Sequence, residues 1–100
     1  MELHESAEDY LEAILILKEK HGTVRSVDVA SYLGVTRPSV SVAMKRLREN
    51  GYLVMDEDSD RSLTLTDSGL EVAQRIYERH KLLTDIFEKL GVPSDTARDD

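Results

Sequence analysis

The stretch Leu33-Gly34-Val35-Thr36-Arg37-Pro38 constrains the fold more than any other part of this chain. A glycine between two apolar residues makes a tight turn, and Thr36 then stands where a side-chain oxygen caps a new helix. Pro38 falls in the first turn of that helix, where its missing N–H costs little. Upstream, Val27, Val29, Ala30 and Leu33 give a short helix over 26–33 its apolar side. Two helices are therefore expected on either side of a tight turn.

The flanking sequence completes the pattern. A first helix is expected over 6–21, with Ser6 as its N-cap and Gly22 beyond its end. The helix begun at Thr36 runs to Asn50, and Gly51 ends it. Tyr52-Leu53-Val54-Met55 suits a strand, and Ser62-Leu63-Thr64-Leu65-Thr66 alternates polar and apolar residues across a polar turn. A long helix then starts at Thr66 or Asp67, with Val72, Ala73, Ile76, His80, Leu83, Phe87 and Leu90 on one stripe, and Gly91 stops it. Ser94 suits the cap of one more helix, which the last residues leave unfinished, as in a fragment of a longer protein. The fold class is mainly α with a small β-hairpin, a winged helix-turn-helix over 1–65 followed by a long helix over 66–100.

One hundred residues with 40% apolar content suit a single domain with a modest core. The absence of cysteine excludes disulfide scaffolds, thiol catalysis and thiolate metal sites. Apolar runs are far shorter than the roughly 20 residues of a membrane helix. The start Met1-Glu2-Leu3-His4-Glu5 lacks the regions of a signal peptide, so a cytoplasmic protein is expected.

The net charge of −7 argues against a nucleic-acid partner until its distribution is considered. Between Thr36 and Asn50 the chain carries Arg37, Lys45, Arg46 and Arg48 against Glu49 alone, a local charge of +3, which leaves −10 for the remainder. The second helix of a helix-turn-helix enters the major groove of duplex DNA with its N-terminal residues on base edges. Here that end reads Thr36-Arg37-Pro38-Ser39-Val40-Ser41, which makes Arg37, Pro38, Ser39 and Ser41 the candidate base contacts. Thr36 suits both a cap and a phosphate ligand. Val40, Met44 and Leu47 should face the core, while Lys45, Arg46 and Arg48 suit phosphate contacts that hold register. Asp56, Glu57, Asp58 and Asp60 should make the hairpin tip repel phosphate, leaving Arg61 as its expected backbone contact. The competing reading is a solvated helix with ordinary surface charge.

In Ser6-Ala7-Glu8-Asp9-Tyr10-Leu11-Glu12-Ala13-Ile14, the residues Tyr10, Ala13, Ile14 and Leu17 form an apolar stripe. Asp9 and Glu12, three residues apart, put their carboxylates side by side on a neighbouring face that also carries Ile16. Such acids can bind a cation, but Asp9 can also complete a cap with Ser6, and both acids favour the helix dipole. His80, on an apolar stripe, reads first as a core histidine. No nucleophile, phosphate loop or substrate pocket accompanies the acids, which argues against an enzyme.

Five segments, S-x-E-D-Y-L-E-x-I, V-D-V-A-x-x-L-G-V-x-x-P-S-V, L-x-x-x-G-Y-L, L-T-x-x-G and R-H-x-L-L, occur here in order between Ser6 and Leu83. In sequence and spacing the chain resembles the metal-dependent repressors, the family of the diphtheria toxin repressor and the manganese transport regulator. The resemblance implies a homodimeric repressor that binds double-stranded DNA once loaded with Mn2+ or Fe2+ and controls metal-homeostasis genes. It implies metal ligands at Asp9, Glu12 and His80, with further ligands beyond residue 100, so that the site in this chain is incomplete. The iron-type branch has Met at the position matching Asp9, so Asp leans toward manganese. That branch also has an ancillary site using a Glu where Thr84 stands here, which puts that site in doubt. The resemblance assigns the last third of the chain to a metal-binding and dimerisation region. Two alternatives are a winged-helix regulator without metal dependence and a winged-helix protein-interaction module.

Overall fold

The computed structural model describes residues 5–57 and 60–91. Their elements run α1 (Glu5–His21), α2 (Ser26–Leu33), α3 (Arg37–Glu49), β1 (Leu53–Met55), β2 (Leu63–Leu65) and α4 (Asp67–Lys89). This is the expected winged helix-turn-helix followed by a long helix. Ser94 lies outside the described residues.

The apolar side of α1 is wider than one stripe. Ala7, Leu11, Ala13, Ile14, Leu15 and Leu17 are buried, and Tyr10 packs half-buried beside them. Full burial of Leu11 and of Ile14 contributes roughly 1.5–3 kcal/mol each. The helix is already formed at Glu5, so Ser6 lies within it and not at the expected N-cap position.

The turn between α2 and α3 follows its sequence. Gly34 takes the left-handed conformation at φ 69°, which favours glycine, and its N–H donates to the Ala30 carbonyl at 2.9 Å. Thr36 is extended, and its Oγ1 accepts from the Ser39 N–H at 3.3 Å. Val40, Met44 and Leu47 then enter the core as expected. Val27 does not. It stands two positions from buried Val29, about 200° around the helix, and is exposed.

The wing pairs antiparallel, with Leu53 opposite Leu65 and Met55 opposite Leu63. Leu53 and Leu63 point into the core while Val54 and Thr64 face out. The Leu63 N–H also donates to the carbonyl of buried Val24 at 2.7 Å, tying the wing to the segment before α2.

Thr66 caps α4 by accepting from the Gly69 N–H at 3.2 Å, and its hydroxyl donates to the Gly51 carbonyl at 2.6 Å. A Cβ at Gly69 would overlap the Tyr52 carbonyl oxygen, which accepts from the Thr66 N–H. Leu65-Thr66-x-x-Gly69 is therefore a joint: threonine caps the helix and glycine lets it approach the wing. Val72, Ala73 and Ile76 bury the first half of α4 against α1 and β2. Beyond Ile76 the expected stripe emerges from the body, with Leu83, Phe87 and Leu90 exposed.

Candidate functional site

Two faces carry chemistry, and they share no lining residue. The first is a groove of about 560 Å3 between α3, the start of α2 and the wing. Of the nine expected nucleic-acid contacts, it brings together Arg37, Ser41, Lys45, Arg48 and Arg61. Thr36, at the N-cap of α3, and Pro38, Ser39 and Arg46 on it are exposed outside the groove lining. Thr36 also donates to Ser39 Oγ at 2.9 Å, which leaves the Ser39 hydroxyl able to donate outward.

Ser26 and Asp60 line the groove too, as does Arg25, which the sequence had not singled out. It precedes α2, and its N–H donates to the Asp28 carboxylate at 2.9 Å. Arg25 is twelve residues from Arg37, so no helical spacing links them; the helix-turn-helix brings them to one groove. Arg61 is the non-glycine residue with positive φ among those described, at 58°. That conformation costs an arginine roughly 1–2 kcal/mol.

The wing acids do more than repel. Arg48 Nη1 lies 3.4 Å from Glu57 Oε2, and Asp60 Oδ1 accepts from the Ser62 N–H at 3.1 Å within the wing turn. Asp58 lies outside the described residues.

The second face joins α1 to α4. Glu12 Oε2 stands 2.9 Å from His80 Nδ1, with the Glu12 side chain 14% exposed and that of His80 52%. His80 is thus no core histidine: α4 has outrun the body at that point, and the imidazole reaches back to α1. Ile16 is half-buried beside them in a groove of about 790 Å3 that Tyr32, Tyr77 and Phe87 also line. The packed surface expected next to the acids is this groove. Asp9 is half-buried on α1, has an interaction partner of its own and is not part of the groove lining. Among the described residues no three His, Asp or Glu side chains come together closely enough to hold a metal. Glu12 and His80 supply one carboxylate oxygen and one imidazole nitrogen, a donor pair that fits Mn2+ or Fe2+ but leaves coordination to be completed from elsewhere. The Thr84 hydroxyl donates to the His80 carbonyl at 3.0 Å, so it serves the helix backbone.

A helix-turn-helix with a wing, a capped recognition helix and a cation-lined groove define the chain as a winged-helix DNA-binding module. Residues 2–60 match the family model for the iron dependent repressor, N-terminal DNA binding domain. The chain belongs to the iron-dependent repressor family. It is 35% identical over 95 residues to the HTH-type transcriptional regulator MntR of Lysinibacillus sphaericus, covering 95% of this chain and 67% of that protein. Its structure is similar to that of T. acidophilum IdeR, with a TM-score of 0.78 and 25% identity over 99% of this chain and 47% of that one. It is similar also to the manganese regulator SloR, with a TM-score of 0.72 and 27% identity over 89% of this chain and 41% of that one. The chain spans about two thirds of the length of the curated relatives it matches. Among the described residues no helix is long and apolar enough to cross a membrane.

Proposed function

We propose that this chain is the DNA-reading and metal-sensing part of a cytoplasmic transcriptional repressor that responds to Mn2+ or Fe2+ and governs metal-homeostasis genes. The observation that carries the reading is the Glu12–His80 contact, which joins α1, packed on α2 and α3, to the projecting half of α4. Membership of the iron-dependent repressor family supports it.

Duplex DNA is the partner. Arg37, Pro38, Ser39 and Ser41 meet base edges at the N-terminal end of α3, and Thr36 contacts a phosphate. Lys45, Arg46, Arg48, Arg61 and the newly identified Arg25 neutralise phosphates and hold register. Glu12 and His80 would hold the metal together with Asp9 and donors outside the described residues. When bound, the ion supplies charge neutralisation to an acidic body and a tie between α1 and α4. Glu12 and His80 then fix α1, and with it the tilt of α3, which selects the DNA-competent arrangement. In a homodimer this sets two α3 helices about 34 Å apart, one turn of duplex. Asp9 favours Mn2+ over Fe2+ through the family resemblance.

Calorimetric titration of the complete protein product with Mn2+ tests the sensing half: saturable binding is expected, and heat no different from buffer contradicts it. A second reading, a winged-helix regulator without metal dependence, is favoured by the absence of a three-donor cluster among the described residues. Duplex affinity that does not change with Mn2+ or chelator selects it.

A further inference from the structure

Arg48 lines the cationic groove beside Arg37, Lys45 and Arg61, yet it is not simply presented to a ligand. Its guanidinium faces the Glu57 carboxylate of the wing at 3.4 Å, where the arginine side chain is 35% exposed and the glutamate 73%. Arg48 lies on α3 and Glu57 follows β1, nine residues apart in sequence. Arg48 is thus a groove cation with a carboxylate partner within 4 Å.

We infer that Glu57 is an internal competitor for phosphate at Arg48: in the free chain it occupies the guanidinium, and bound duplex must replace it. This rests on the DNA-binding reading and adds an affinity-limiting device to it. A carboxylate and a phosphate oxygen make the same charge-assisted bond to an arginine, so one excludes the other from the same N–H groups. Exposed pairs of this kind are weak, so the exchange costs only about a two- to fivefold loss of affinity. That loss applies to every duplex. Glu57 thus lowers affinity for every duplex by the same factor without touching a base.

The test is a double-mutant cycle on duplex affinity, with the complete protein product, its Glu57→Gln and Arg48→Gln variants and the double variant. The probe is a mixed-sequence duplex of about two helical turns, roughly 20 base pairs, titrated at several salt concentrations with Mn2+ present. Glu57→Gln removes a negative charge near DNA whatever its partner, so the gain in the Arg48→Gln background measures that general effect. The inference expects Glu57→Gln to tighten binding about two- to fivefold more with Arg48 present than with Arg48→Gln. Equal gains in both backgrounds overturn it while leaving DNA binding intact. If no variant binds duplex at any salt, the DNA-binding reading fails and the inference falls with it. Circular dichroism confirms that each variant remains folded.

Discussion

Glu12 on α1 and His80 on α4, 68 residues apart in sequence, stand 2.9 Å from each other in the wall of one groove. The core of the chain ends below them: Ile76, one turn before His80, is the last buried residue of α4. The pair therefore joins the helix-turn-helix to a segment that owes little to the core for its position.

Replacing His80 with Ala should lower Mn2+ affinity about tenfold or more, judging by what even outer-sphere ligand partners contribute. Because the side chain is 52% exposed, folding stability should change by no more than about 0.5 kcal/mol. Mn2+ titration followed by the resonance of the free ion, alongside urea unfolding, separates the two effects. Equal loss of metal affinity and stability would point to a structural role.

Arg37 and Lys45 line the same groove but should fail differently. Arg37→Ala should cost about 1–3 kcal/mol and relax preference at one base position. Lys45→Ala should weaken all duplexes alike and reduce the salt slope of binding by about one. Affinities for a panel of single-base variants at two salt concentrations distinguish them.

Ile76→Ala should destabilise the chain by about 2–5 kcal/mol, since Ile76 is 4% exposed among Leu and Val side chains. Leu90→Ala, at a residue 73% exposed, should stay within about 0.5 kcal/mol. Denaturant midpoints of the two variants test whether α4 is anchored by its first half.

Gly69→Ala should be costly for a residue so small, about 1–3 kcal/mol from forced displacement of the Tyr52 carbonyl. An alanine there parts α4 from the wing and disturbs the Thr66 cap. Unfolding curves against a control, Ser68→Ala on the exposed side of the same turn, measure it.

Where local chemistry decides structure, the sequence was readable. The Gly34 turn, the Thr36 cap, the inward Val40-Met44-Leu47 row, the hairpin and the start of α4 at Thr66 or Asp67 all follow from neighbouring residues. What escaped depends on tertiary placement. The Leu63–Val24 hydrogen bond links segments with no shared periodicity, and Arg25 belongs to the groove because the fold delivers it there. His80 shares a stripe with Ile76, yet it lies past the end of the body, so periodicity alone misread it as core. Ser6 and Val27 were misplaced for simpler reasons: α1 is already helical at Glu5, and Val27 lies about 200° around α2 from buried Val29, although α2 spans 26–33 as expected.

The central claim is that metal governs DNA binding, and capture of fragmented DNA from the encoding genome tests it most directly. The complete protein product would be incubated with those fragments under Mn2+, Fe2+ or chelator, and the bound fraction sequenced. Selective capture of a few sites with metal, lost with chelator, is the predicted result. Equal capture under chelator would contradict the account and return Asp9, Glu12 and His80 to ordinary helix chemistry.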